Sequence, residues 1–173
     1  MKPITVYGTC KNALQEMFGK LIDNLELSGA WGRIFFLYGP HEHPARLVSS
    51  VIQSLLANQP ALCSHGYQIR DYLYVKDVAD AFVALLESHI VGPVNIASGL
   101  PIALKEIVFK IAEKLDGKDL VRLGAINASV DEPALLVGDI NRLSKEVAWQ
   151  PKYSLDRGLE ETINWWQHNQ PIH

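Results

Sequence analysis

From Gly8 to Trp166 two kinds of apolar pattern alternate along the chain, and this alternation constrains the fold more than any other feature. Leu14, Met17, Phe18, Leu21, Ile22 and Leu25 recur at helical spacing until Ser28-Gly29 interrupts them. Trp31 to Tyr38 (WGRIFFLY) is a short aromatic and aliphatic run, which reads as one buried strand ended by Gly39-Pro40. A helix follows over Arg46 to Asn58, on Leu47, Val51, Leu55 and Leu56, and then a short strand over Tyr72 to Val75. Asp77 reads as the N-cap of the next helix, with Val78, Ala81, Phe82, Leu85 and Leu86 facing inward. After Gly92-Pro93 comes a strand, Val94 to Ala97, and then a helix on Leu104, Ile107, Val108, Ile111 and Leu115. Leu120 to Leu123 and Leu135 to Val137 read as short strands. Ser154 caps a last helix, which places Leu155, Leu159, Ile163 and Trp166 on one face, and Asn169 to His173 is expected to fray.

Helices that alternate with strands imply an α/β fold with a small mixed sheet. The 173 residues are 48% hydrophobic and 20% charged, with no linker-like segment, so 1–173 reads as a single domain with its own core. A net charge of -3 gives no reason to expect nucleic acid or an anionic membrane as a partner. No apolar run approaches the roughly 18 residues that span a bilayer, and Met-Lys-Pro-Ile-Thr has no signal-peptide core. Cys10 and Cys63 are too few for a disulfide framework or a metal site, so a reducing, cytoplasmic setting is the expectation.

Tyr7 and Lys11, in Y-G-T-C-K, stand one turn apart on one face of the first helix. A free tyrosine titrates near 10, and a neighbouring ammonium favours its phenolate. Such a pair can pass the proton of a hydroxyl that becomes a carbonyl, provided a cofactor takes the hydride. The plain alternative is a surface pair at a helix start.

The downstream segments bear on that choice. Arg33-Ile-Phe-Phe-Leu-Tyr-Gly-Pro40 comes first, then Arg70-Asp-Tyr-Leu-Tyr-Val75, then Asp77-Val-Ala-Asp-Ala81, then Gly92-Pro-Val-Asn-Ile-Ala-Ser-Gly99. In this order the chain, from about Pro3 to Trp166, resembles the C-terminal half of extended short-chain dehydrogenases/reductases, in the subgroup of NAD-dependent nucleotide-sugar epimerases and dehydratases. The resemblance implies a partial Rossmann-like fold, made of the C-terminal strands and the small substrate-binding subdomain. It implies that Tyr7 is the catalytic acid/base and that Lys11 tunes it and contacts the nicotinamide ribose. Phe35 and Leu37 would pass beside the nicotinamide of NAD or NADP. Arg70 would contact the diphosphate of a nucleotide-sugar substrate, and Arg46 would line its nucleotide end, roles that suit a guanidinium fork. The alternative for Arg70 is a structural ion pair with Asp71 or Asp77. The reaction would be an epimerisation, dehydration or reduction in deoxysugar or polysaccharide biosynthesis.

The chain departs from the family pattern in places. Phe36 stands where many members have an asparagine that touches the sugar or diphosphate, and no arginine occurs between Arg122 and Arg142 for a second clamp. No Gly-x-x-Gly-x-x-Gly turn follows a strand, so the N-terminal dinucleotide-binding half is expected to be absent. Without it, NAD is not expected to bind tightly and the chain alone is not expected to turn over. The strand from Trp31 would expose an edge and neighbouring apolar faces would be bare. That implies a homo-oligomer or a separate N-terminal half as partner; a non-catalytic remnant that binds a nucleotide sugar, or only dimerises, is the alternative. His41-Glu42-His43 is a poor metal motif, and no metal is expected. Cys10 reads as a small buried helix residue and Trp165-Trp166 as a core anchor.

Overall fold

The structure is a computed structural model that describes residues 5–128 and 132–169. Thr5 opens helix α1 (Val6–Asn24) by accepting the Gly8 amide on its side chain at 3.0 Å. The chain continues through β1 (Ala30–Ile34), β2 (Phe36–Tyr38), α2 (Leu47–Leu56), β3 (Ala61–Leu62) and β4 (Ile69–Tyr74). Next come α3 (Val75–Glu87), β5 (Gly92–Ile96), β6 (Pro101–Ala103) and α4 (Leu104–Lys114). Strands β7 (Val121–Arg122) and β8 (Leu135–Leu136) and helix α5 (Leu155–His168) complete it. The α/β expectation holds, and parallel pairings dominate a mixed set of small sheets.

The run from Trp31 to Tyr38 is two strands rather than one. Strand β1 lies parallel to β5, from Ala30 against Gly92 to Ile34 against Ile96. The Phe35 amide donates to the Ile96 carbonyl at 3.2 Å. Beyond it β2 pairs with a different neighbour, β4, from Phe36 against Tyr72 to Tyr38 against Tyr74. Phe35 therefore sits where the chain changes partners. A hydrophobic run marks burial but not the identity of the strand alongside, so this handover is invisible in the pattern. Strand β4 also carries β6 antiparallel and β8 parallel, while β3 pairs with β7.

Asp77 is not the cap of α3. The helix starts at Val75, straight off β4, with extended Tyr74 in the cap position and no side-chain cap bond. Asp77 lies buried in the first turn, where its two oxygens accept the Lys152 and Tyr153 amides, each at 3.0 Å. Val78, Ala81 and Leu85 face inward as expected, but Leu86 is 85% exposed and Phe82 is only half-covered. Asp71, fully buried at the centre of β4, accepts four hydrogen bonds: from the Ser98, Gly99 and Gly138 amides and the Ser98 hydroxyl, at 2.7–3.1 Å. Both carboxylates tie a strand–helix unit to loops that are remote in sequence.

Apolar side chains collect in two clusters. One joins α2, α4 and α5 around Ile52, Ile107, Ile111, Leu159 and Trp166; the other joins α3 and β5 around Ala81, Leu85, Val94, Ile96 and Trp149. Each buried aliphatic or aromatic side chain contributes about 1.5–3 kcal/mol relative to exposure. Trp166 anchors the last helix, but Trp165 is only partly buried and rests on the His41 ring, with centroids 4.5 Å apart. Helix α1 has no buried residue. Phe18 packs on Trp31 and Gln15 accepts from Arg33, while Leu14, Met17, Leu21 and Leu25 remain 48–68% exposed. Cys10, expected to be buried, is exposed. The expected fraying of Asn169 to His173 falls, beyond Asn169, outside the described residues.

Candidate functional site

A cleft of about 720 Å³ opens between α1, the β1–β2 bend, the loop before α2, and β4. Its lining includes Tyr7, Phe35, Leu37, Arg46 and Arg70, residues that the sequence singles out from widely separated segments. Tyr7 occupies the first turn of α1 and is 73% exposed. The Lys11 ammonium lies 5.7 Å from the Tyr7 ring centroid, one turn along the same helix face, and is not part of the lining. Phe35 and Leu37 reach the cleft from the handover between β1 and β2. Arg46 takes the N-cap position of α2 and is exposed.

Arg70 is only 1% exposed, unlike the other charged groups of the cleft. Its Nη2 donates to Glu132 Oε1 at 2.6 Å and its Nη1 to the Ile69 carbonyl at 2.8 Å. The ion pair is therefore with Glu132, not with Asp71 or Asp77, which are occupied by backbone amides. Glu132 Oε2 accepts Gln68 Nε2 at 3.2 Å. Phe36, an apolar departure from the family pattern, lies under the guanidinium with its centroid 5.6 Å from Arg70 Cζ, and against Tyr72. The ring gives the cation a π-face neighbour at cation–π distance.

Glu42, Glu132 and Tyr72 also line the cleft, and sequence reasoning missed all three as site residues. Glu42 Oε2 accepts the Ser49 amide at 3.1 Å, in the first turn of α2, where the helix dipole favours negative charge. Burial nevertheless pushes the Glu42 carboxyl up to about 7, against the opposing pull of the Ser49 hydrogen bond and Arg46. Burial also raises Tyr72, with the charge on Glu42 adding to it. The signal for Glu42 was present in His41-Glu42-His43, whose histidines also line the cleft beside Arg46. For Glu132 no local signal exists, because it meets Arg70 across a separation of 62 residues. The arrangement offers two phenols, two guanidiniums and two carboxyls around one opening, a set suited to a polyhydroxylated, anionic ligand.

The model of the NAD dependent epimerase/dehydratase family matches residues 1–97. This chain belongs to that family. UDP-glucuronate 4-epimerase of Thermodesulfobacterium geofontis is 30% identical over 139 residues, which cover 79% of this chain and 42% of that protein. Among solved structures, dTDP-glucose 4,6-dehydratase of Bacillus anthracis in complex with NAD superposes with a TM-score of 0.89 at 22% identity, covering 98% of this chain and 54% of that one. UDP-glucuronic acid 4-epimerase of Bacillus cereus, in complex with UDP-glucuronic acid and NAD, gives 0.87 at 23% identity, covering 96% and 54%. The likeness to these structures is one of fold. It identifies a partial Rossmann-like α/β fold, since the chain spans about half the length of the proteins it matches. Among the described residues no helix is long and apolar enough to cross a membrane.

Proposed function

We propose that this chain carries the substrate-binding and proton-transfer portion of an NAD(P)-dependent nucleotide-sugar epimerase, dehydratase or reductase. The observation that carries the reading is the single cleft that gathers Tyr7, Phe35, Leu37, Arg46 and Arg70 from four parts of the chain. Arg70 binds a phosphate oxygen of the substrate and Arg46 its nucleotide end, which leaves the sugar toward Tyr7. As the phenolate, Tyr7 then accepts the proton of a sugar hydroxyl, and as the phenol it returns it; the Lys11 ammonium one turn on steadies the phenolate form. NAD, when bound, supplies hydride acceptance and return. Tyr7, Lys11, Phe35 and Leu37 fit the nicotinamide riboside end of such a group, while the sequence has no glycine-rich turn for its pyrophosphate.

A second reading, binding without catalysis, draws support from the openness of Tyr7, which is 73% exposed and has no water-excluding cover among the described residues. Titration of UDP-glucuronate and dTDP-glucose into the full chain tests the shared part of both readings. Micromolar binding that is lost in Arg70→Met is expected; no binding by the unaltered chain would overturn both. Turnover on addition of NAD, abolished by Tyr7→Phe with binding retained, selects the catalytic reading. Binding without turnover, even with the dinucleotide-binding half of a relative supplied in trans, selects the other.

A further inference from the structure

The oxyanion fork of Arg70 is half-filled by the chain itself. Nε and Nη2 lie along one edge of the guanidinium, the edge that grips a carboxylate or phosphate with two parallel hydrogen bonds. Nη2 is held by Glu132 Oε1 at 2.6 Å, yet Nε is buried and has no partner among the described residues. Glu132 does not close the fork, because its other oxygen turns away to Gln68 Nε2. Gln68 Oε1 is likewise buried without a partner. The guanidinium is 1% exposed and lies over Phe36, whereas Glu132 is 33% exposed at the cleft rim. The acid can therefore move toward water more readily than the base. A buried donor without a partner leaves its desolvation cost unrecovered, so the present pairing is incomplete for the site.

We infer that Glu132 is a built-in competitor for the anion subsite: a diphosphate-bearing ligand binds this cleft by displacing the Glu132 carboxylate from Nη2 and engaging Nε and Nη2 together. The inference rests on the reading of the cleft as a nucleotide-sugar site. Glu132 then sets affinity by charge. It keeps Arg70 paired when the cleft is empty, and it opposes ligands whose anionic part cannot use both edge donors.

The test is calorimetric titration of inorganic pyrophosphate, UDP and uridine into the full chain and into Glu132→Gln, with hydrogen exchange measured on the unaltered chain. The variant keeps the side-chain shape and removes the competing charge. UDP and pyrophosphate are expected to bind it at least tenfold more tightly than the unaltered chain, with uridine changed less than twofold. Pyrophosphate is also expected to speed hydrogen exchange in the segment that carries Glu132, a readout that needs no variant. UDP bound by the unaltered chain, with no gain in Glu132→Gln or with protection around residue 132, would overturn the inference and leave the nucleotide reading intact. Pyrophosphate bound more tightly by the variant while UDP is ignored would keep the inference and overturn the nucleotide reading. No binding of either phosphate ligand to either protein overturns both.

Discussion

Replacing Asp71 with asparagine changes one atom at the most connected carboxylate of the fold. Oδ1 accepts the Ser98 amide and the Ser98 hydroxyl, each at 2.7 Å; Oδ2 accepts the Gly99 amide at 2.8 Å and the Gly138 amide at 3.1 Å. Hydrogen bonds to a charged group contribute about 1.5–3 kcal/mol each, and a plain sum of about 6–12 kcal/mol would rival the ~5–15 kcal/mol stability of a whole domain. The donors left unpaired set the cost instead. An asparagine has one acceptor and one donor end. With its nitrogen at Oδ2, it would strand both glycine amides. With its nitrogen at Oδ1, the Ser98 hydroxyl can rotate and accept, so only the Ser98 amide is stranded. That cheaper orientation costs about 1–3 kcal/mol for one buried unpaired donor, plus about 1 kcal/mol for lost charge assistance. The expected loss is about 2–4 kcal/mol. Urea unfolding followed by tryptophan fluorescence would show it as a midpoint lowered by about 1–2 M at unchanged slope, for a slope near ~2 kcal/mol/M. A loss below about 0.5 kcal/mol at unchanged slope would refute the reasoning. It would mean that relief from burying the carboxylate cancels the bonds it accepts.

Glu42 gives a pH-dependent contribution whose sign is opposite to that of a salt-bridged acid. Its folded value of about 7 lies above the ordinary 4.5, so the folded state holds the extra proton between those values. Stability should therefore fall as pH rises from about 4.5 to 7, by at most about 3 kcal/mol and nearer ~1 kcal/mol after screening at this half-buried site; Glu42→Gln should flatten that segment of the urea-midpoint profile. Gly158→Ala places a methyl group within the van der Waals envelope of the Tyr38 hydroxyl. The ~1 kcal/mol gained in helix propensity is outweighed by overpacking of about 1–3 kcal/mol or more, so the melting temperature should drop. An unchanged or raised value would show that Tyr38 yields freely. Leu21→Lys, on the bare face of α1, should leave the unfolding free energy within about 0.5 kcal/mol, since the side chain is 55% exposed; a larger loss would mean that this face is covered.

Part of the candidate site was legible in the sequence. Tyr7 and Lys11 share a helix face, while Arg70 was singled out through the resemblance carried by the order of segments. What was not legible was the other half of each interaction. Arg70 was weighed against Asp71 and Asp77 because they are near in sequence, whereas its counter-ion is Glu132 at a separation of 62 residues. Asp77 looked like a cap because an acid before an apolar helix usually is one. Here the helix begins two residues earlier, and the carboxylate caps a distant loop instead. Cys10 and Leu86 were misplaced for a related reason: helical spacing assigns a face but does not say what covers it.

Periodicity and turn residues thus determined by themselves the α/β class and the place of every long helix, and the segment order, through the resemblance it carries, pointed to Tyr7, Lys11 and Arg70 as the groups to watch. These properties depend on neighbours along the chain. The tertiary structure alone decided that the Trp31 to Tyr38 run changes partners at Phe35, that Phe36 supports a guanidinium, and that Glu42 and Glu132 join the cleft. Those depend on which surfaces meet once the core is buried, and burial acts on area without regard to sequence distance.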